Sequence, residues 1–334
     1  MNSFTRVFIL FFLLFGYSFA AEKTIDAPAY TQQLNQLYLL EDTAIKTPKK
    51  IGYSGVPGSS FWRQVRSGES YSTQIIGDDS GVFINAYGED WRLIKNQIAD
   101  VNLILVPLAL ITVVLIYFIF GKFKLSNGFS GNMVERFKFI EMVIHWGTAS
   151  TFIILAITGL ILLFGRLFLI PILGKDTFAG FAEFAMDTHD IIGPIFSVFL
   201  IAMIIKFIKD NVYQKGDINW LLTGGGLFGK HVDAWRFNLG EKAWFWIVFF
   251  VGLLVTFSGY IMLFTGIVSG QREAVEIMNI LHTASATLMI LAMFGHVYMG
   301  VALEGSMSAM TTGKVDENWA KDHHSLWYKD TKKQ

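Results

Sequence analysis

From Val101 onward the chain alternates long apolar runs with short charged stretches. Five runs stand out, at about 101–120, 140–165, 189–208, 243–266 and 280–303. Each is near the ~20 residues that carry an α-helix across a bilayer. A separate apolar stretch opens the chain: "MNSFTRVFILFFLLFGYSFA", with one basic residue and with Ser18 and Ala20 placed before Ala21. That is the pattern of a secretory signal peptide, so residues 1–20 are expected to be removed, a retained anchor helix being the alternative. Residues 21–100 are polar, and "GVFINAYGEDW" sets β-type residues between glycines. This segment reads as a small, lightly folded external region, either a solvated leader or a docking element. No internal repeat or low-complexity stretch stands out.

Composition narrows the class. Of 334 residues, 53% are hydrophobic and 16% charged, and the mean hydropathy is +0.45. Such values fit a polytopic membrane protein and not a typical soluble domain. The formal net charge of +0 gives no pointer to nucleic acid or to an acidic partner. With Cys 0 in the composition, this chain has no disulfide, no thioether-attached haem, no thiolate-held cluster and no cysteine zinc site.

The distribution of charge sets a topology. Lys122, Lys124, Arg136 and Lys138 lie between the first and second runs; Lys209, Lys215, Lys230, Arg236 and Lys242 lie between the third and fourth. Lys314, Lys321, Lys329, Lys332 and Lys333 follow the fifth. The other two loops hold few basic residues. By the positive-inside rule the basic loops and the C-terminus face the cytoplasm, which agrees with an external N-terminus followed by five crossings.

Into this frame fall seven histidines. His231, His323 and His324 lie in loops assigned to the cytoplasm. His145, His189, His282 and His296 lie in or at the apolar runs, where an ionisable side chain marks a functional site by default. Orientation fixes their depth: His145 lies at the inner end of its run, while His189 and His282 lie at the outer ends of theirs. His296 follows His282 by fourteen residues, roughly 21 Å deeper and on nearly the same helix face at 1.5 Å and 100° per residue. The four therefore sort into an outer pair, His189 with His282, and an inner pair, His145 with His296. Two stacked imidazole pairs in a helix bundle suggest two b-type haems, each iron held by two imidazoles with no open position, a ligation suited to moving electrons. Gly147, Gly193, Gly295 and Ser285 would leave room for a flat macrocycle, although helix contacts also favour small residues. Zinc fits less well, since two ligands per level leave a four-coordinate ion short. A lone interfacial histidine, or a proton-coupled transporter using intramembrane histidines, is the competing reading for these residues.

The chain also resembles a known family. From Met133 to Tyr328 it carries "RFKFIEMVIHW", "HDIIGP", "DINWL", "FNLGEKAWFW", "LHTASA", "GHVYMG", "GSMSAM" and "GKVDENWAKDHHSLWY". With these motifs it is similar to the cytochrome b (gamma) subunit of membrane-bound, quinone-linked formate dehydrogenases, and more distantly to the cytochrome b subunit of nickel–iron hydrogenases. The resemblance implies an all-α membrane protein: a four-helix dihaem cytochrome b core at 133–304, one added N-terminal span at 101–120 and a cytoplasmic tail at 305–334. It implies the same ligand scheme, two haem b groups on His145 with His296 and on His189 with His282. It adds a quinone site, menaquinone being the expected quinone, with Asn238 and Gly240 beside the inner haem. Partners would be a catalytic subunit holding molybdenum or tungsten and an iron–sulfur subunit, on a bacterial inner membrane with the N-terminal region periplasmic. From the residues alone, "NLGEK" reads as a helix cap at Asn238 with Glu241 three residues on. Lys230 and His231 could relay protons or lie in a solvated loop. The aromatic tail could lie on the membrane surface or grip a partner, and neither His323 nor His324 is taken as a metal ligand.

Overall fold

The computed structural model describes residues 86–223, 233–268 and 272–333. The leader, most of the external region and the Lys230–His231 pair lie outside these residues. Among the described residues, five helices are long and apolar enough to cross a membrane. In chain order these are α1 (Ala86–Phe120), α2 (Phe139–Phe168), α4 (Lys175–Phe207), α6 (Leu239–Leu263) and α7 (Arg272–Ala302). The fold is an all-α membrane bundle. Large apolar side chains face outward along it, Phe118 at 78% and Ile205 at 70% exposure among them, as expected of surfaces that lie against lipid.

Three of these helices begin two turns or more before the apolar runs that announce them. α1 starts at Ala86, α4 at Lys175 and α7 at Arg272. Hydropathy marks the stretch suited to hydrocarbon, whereas a helix continues through charged residues until a breaker or a cap stops it. The end of "GVFINAYGEDW", a stretch whose β-type residues lie between glycines, accordingly forms the first turns of α1.

α2 packs along α4, α6 packs along α7, and α1 flanks α7. The short helix α3 (Ile170–Leu173) joins the first pair, and α5 (Asp217–Leu222) precedes α6. After α7 the chain does not trail away. It forms α8 (Ser306–Thr312), β2 (Lys314–Asp316), α9 (Glu317–His323) and α10 (Ser325–Thr331). β2 pairs antiparallel with β1 (Met133–Glu135), with Val134 opposite Val315. Val315 and Trp319 are buried in one cluster with Leu125, Phe137, Phe207 and Phe245. The aromatic tail thus grips its own chain, closing the end of the bundle where α2 and α6 begin.

The structure also exposes a repeat that the sequence reading missed. Arg136-Phe137, Glu141, Trp146 and Gly159 recur as Arg236-Phe237, Glu241, Trp246 and Gly259, an offset of 100 residues. The α2–α4 hairpin corresponds to the α6–α7 hairpin. Few identities survive among interchangeable apolar residues, which is why the composition of the runs conceals it.

Candidate functional site

Helices α2, α4, α6 and α7 bring the four membrane histidines together in two pairs. The rings of His189 on α4 and His282 on α7 have centroids 6.1 Å apart. His145 on α2 and His296 on α7 have centroids 6.2 Å apart. α7 contributes one imidazole to each level.

At the first level both rings are anchored in the same way. His189 Nδ1 lies 2.8 Å from Thr158 Oγ1 on α2. His282 Nδ1 lies 2.9 Å from the Val255 carbonyl and 3.3 Å from Ser258 Oγ on α6. Each hydroxyl already donates to its own helix backbone, Thr158 to Ile154 O at 2.9 Å and Ser258 to Leu254 O at 2.7 Å. Each is therefore left to accept, which puts the proton on Nδ1 and the lone pair on Nε2 of the facing ring. The adjacent glycines make space for this: a Cβ at Gly159 would lie 3.5 Å from His189 Cε1, and one at Gly259 would lie 3.2 Å from His282 Cε1. Thr158-Gly159 and Ser258-Gly259 are the same element in the two halves of the repeat.

The second level is held by packing. The indole of Trp244 stacks on His296 at 4.8 Å and 13°. Trp146 meets His145 edge-on at 5.3 Å and in turn donates its indole N–H to Met310 O at 2.7 Å. His145 Nδ1 is buried and has no hydrogen-bond partner among the described residues.

Both separations fit one metal ion between two imidazoles. Two metal–nitrogen bonds of about 2.0 Å, with about 1.1 Å from each nitrogen to its ring centre, put the centroids roughly 6.2 Å apart. Among the described residues no group of three or more histidines and carboxylates forms a metal site. The remaining ligands would have to come from the cofactor itself, as they do in haem. Gly193 and Gly295 face open space, whereas the space beside Gly147 is filled by the Phe199 ring, within 2.3 Å of where a Cβ would stand. Gly147 is thus a helix contact and makes no room for a macrocycle. Ser285 is buried and donates to Leu281 O at 2.6 Å, within its own helix.

Asn238 caps α6. Its side-chain oxygen accepts from Glu241 N at 2.9 Å, and its own N–H donates to Glu241 Oε2 at 2.9 Å. The cap uses the oxygen of Asn238 and leaves the amide N–H groups to donate elsewhere. Gly240 lies against Trp220, whose Cη2 is 3.1 Å from the position a Cβ would take. One turn above Asn238, Lys242 is 2% exposed; its Nζ lies 2.7 Å from Asp217 Oδ2 and 3.0 Å from Gln214 Oε1. The sequence reading counted Lys242 only as a positive charge in a loop.

A clamp of charged residues, also missed from sequence, ties the starts of α2 and α6 together. Arg136 pairs with Glu241 at 3.0 Å, and Arg236 pairs with Glu141 at 3.0 Å. Arg136 is buried, with its guanidinium carbon 4.6 Å from the centre of the Trp319 ring. His324 completes the cluster. Its Nδ1–H donates to Trp235 O at 2.6 Å, and Nε2 lies 3.7 Å from Glu241. Burial first, and then the nearby Arg136 charge, push its pKa down to about 3, so it is neutral at ordinary pH. The signal that could have found the clamp was the recurrence of R-F-x-x-x-E.

The fold and its histidine pairs delimit a class, the multi-pass helical membrane proteins. The chain belongs to the prokaryotic cytochrome b561 family, whose model matches residues 136–313. Its relatives narrow this further. The nitrate-inducible formate dehydrogenase cytochrome b556(Fdn) subunit of Escherichia coli (strain K12) is 29% identical over 213 residues, covering 60% of this chain and 93% of the relative. The formate dehydrogenase cytochrome b556(fdo) subunit of the same strain is 30% identical over 206 residues, covering 60% and 94%. The formate dehydrogenase cytochrome b556 subunit of Haemophilus influenzae is 26% identical over 227 residues, covering 63% and 87%. Within the family the chain therefore stands with the cytochrome b subunits of formate dehydrogenase. α1 and everything before it lie outside the family match.

Proposed function

We propose that this chain carries electrons from an external catalytic and iron–sulfur module across the bacterial inner membrane to quinone near the cytoplasmic side. The facing imidazole pairs carry this reading: His145 with His296 and His189 with His282, two levels that share α7, each spaced for one iron. Two haem b groups held there would supply reversible one-electron chemistry with no open coordination position. His189 and His282 would hold the outer group, His145 and His296 the inner one.

Asn238 and Gly240 would form the quinone site. A quinone carbonyl gains basicity as it is reduced, and the Asn238 amide N–H is a donor suited to it. The basic loops and the tail support a cytoplasmic position for this end. Residues 1–20 would serve as a signal peptide, 21–100 as a mainly periplasmic segment, 101–120 as the membrane-crossing part of α1, 133–304 as the cytochrome core and 305–334 as the cytoplasmic tail. Formate oxidation would reside in partner subunits that hold molybdenum or tungsten and iron–sulfur clusters. Charge would cross inward while protons were taken up at the inner face, adding to the membrane potential.

The test is a reduced-minus-oxidised spectrum of the purified membrane complex, with haem b counted per chain and the co-purifying subunits identified. Two haems and a formate-oxidising partner are expected. A well-folded preparation without haem would overturn the reading.

A further inference from the structure

The two histidine pairs differ in what holds them. At one level each imidazole gives its Nδ1–H to an acceptor on the neighbouring helix: Thr158 Oγ1 for His189, and Val255 O with Ser258 Oγ for His282. At the other level His145 Nδ1 is buried with no acceptor among the described residues, and His296 is fixed by the face of Trp244.

This difference has an electronic meaning. An imidazole that gives up its Nδ1–H to a good acceptor becomes a stronger base at Nε2. A more basic axial ligand stabilises ferric iron over ferrous and lowers the reduction potential, hydrogen bonding around the ligands being one of the levers a protein has on a haem. A ligand held by ring stacking receives no such push.

Resting on the two-haem reading above, we propose that Thr158 and Ser258 are positioning residues that set the direction of electron flow. By accepting the Nδ1–H of His189 and His282, they hold that level at a lower potential than the His145–His296 level. With haem bound at both levels, one electron passing from the first to the second would run downhill toward Asn238, one iron being oxidised as the other is reduced, with no bond made or broken. Both hydroxyls are tied to their own helix backbone and sit at equivalent positions of the repeat, one residue before a glycine that admits the ring. Burial alone would not require this. A valine or alanine could fill the same volume without controlling a tautomer.

The experiment is a redox titration of the visible spectrum of the purified complex, with electron paramagnetic resonance of the oxidised form. Two waves are expected, and loss of the lower one in His189→Ala would assign it to the hydroxyl-anchored level. In a Thr158→Val/Ser258→Ala double variant that wave should move up toward the other, with a matching change in its resonance signal, while the upper wave stays in place. Thr158→Ser/Ser258→Thr, which keeps both hydroxyls, should restore the original position. If the double variant loses haem, the single Ser258→Ala variant, in which Val255 still anchors His282, should show a smaller upward shift. A lower wave that does not move with both haems retained would overturn the proposal, as would assignment of the upper wave to His189. A wild-type preparation with fewer than two haems per chain would instead overturn the reading on which it rests.

Discussion

Arg136 and Arg236 each donate a hydrogen bond to the other's backbone carbonyl, both at 2.8 Å. Each also reaches across to the glutamate three residues inside the opposite helix, where that glutamate closes its own cap. The starts of α2 and α6 are thereby locked by one reciprocal contact. Arg136→Met would leave behind Glu241, whose side chain is 37% exposed, whereas Arg236→Met would leave behind Glu141, whose side chain is 3% exposed. Breaking a buried ion pair costs about 3–5 kcal/mol because a buried charge is left uncompensated. Arg236→Met should therefore lower thermal stability in detergent more than Arg136→Met does. Equal losses would mean that burial of the remaining carboxylate does not set the cost.

Haem content tests the ligand assignment level by level. His145→Ala or His296→Ala should each leave one haem per chain, and combining them should remove no more, because both act on the same site. A His145→Ala/His189→Ala variant should hold none. Pyridine haemochrome assay on purified protein reads these counts, and two haems retained in His296→Ala would remove that residue from the scheme.

The glycines beside the rings make a finer distinction. A methyl group at Gly159 would meet His189 at an ordinary 3.5 Å, whereas one at Gly259 would meet His282 at a tight 3.2 Å. Gly259→Ala should disturb haem incorporation or broaden its absorption band, while Gly159→Ala should be tolerated. The reverse order in spectra of the two variants would contradict the packing described.

Acid should loosen the tail through His324. Its pKa in the folded chain is about 3, against an ordinary 6.5, so the unfolded state binds the extra proton between these values. The contribution of His324 to stability is complete above pH 6.5 and declines as pH falls toward 3. Glu317, held down to about 2 chiefly by the Tyr328 hydroxyl, adds a second loss between its ordinary 4.5 and 2. Limited proteolysis of the tail across this range should accelerate, and His324→Gln should flatten the upper part of the profile. A profile unchanged by that substitution would show that another group governs it.

Lys242 and Asp217 form a buried pair one helical turn from Asn238. Lys242→Met should destabilise the chain by about 3–5 kcal/mol, while Lys242→Met/Asp217→Leu should recover much of that, as replaced buried pairs commonly do. Denaturation midpoints of the single and double variants decide this, and a double variant no better than the single would argue against it.

Much of this was legible in the chain. Fourteen residues between His282 and His296 fixed a helix face and a depth, and the basic loops sorted the four imidazoles into the two pairs that the bundle brings together. The cap at Asn238 was readable from Glu241. Other features were hidden for physical reasons. Thr158 and Ser258 sit in apolar runs where a hydroxyl bonded to its own backbone is unremarkable, so nothing local separates an anchor from a filler. Trp244 is one aromatic among many. The tail's contacts with β1, Arg136 and Trp235 join residues far apart in sequence, and hydropathy is blind to such pairing. Helix starts were misplaced where polar turns continue beyond the apolar run, as at Ala86 and Lys175.

The 100-residue offset carries a consequence for descent. A hairpin that recurs within one chain, each copy leaning on the other through a swapped arginine, has the form of a two-fold homodimer joined end to end. On that view His189 and His282 are a single ancestral position seen twice, facing itself across the old subunit boundary, with α3 a later lengthening of one copy. The other pair breaks the rule: the counterpart of His145 is Phe245, buried at 7% exposure in an aromatic cluster. A symmetric dimer has no preferred exit. Each copy keeps one imidazole of this pair, His145 in the first and His296 in the second, and that division ends the equivalence of left and right.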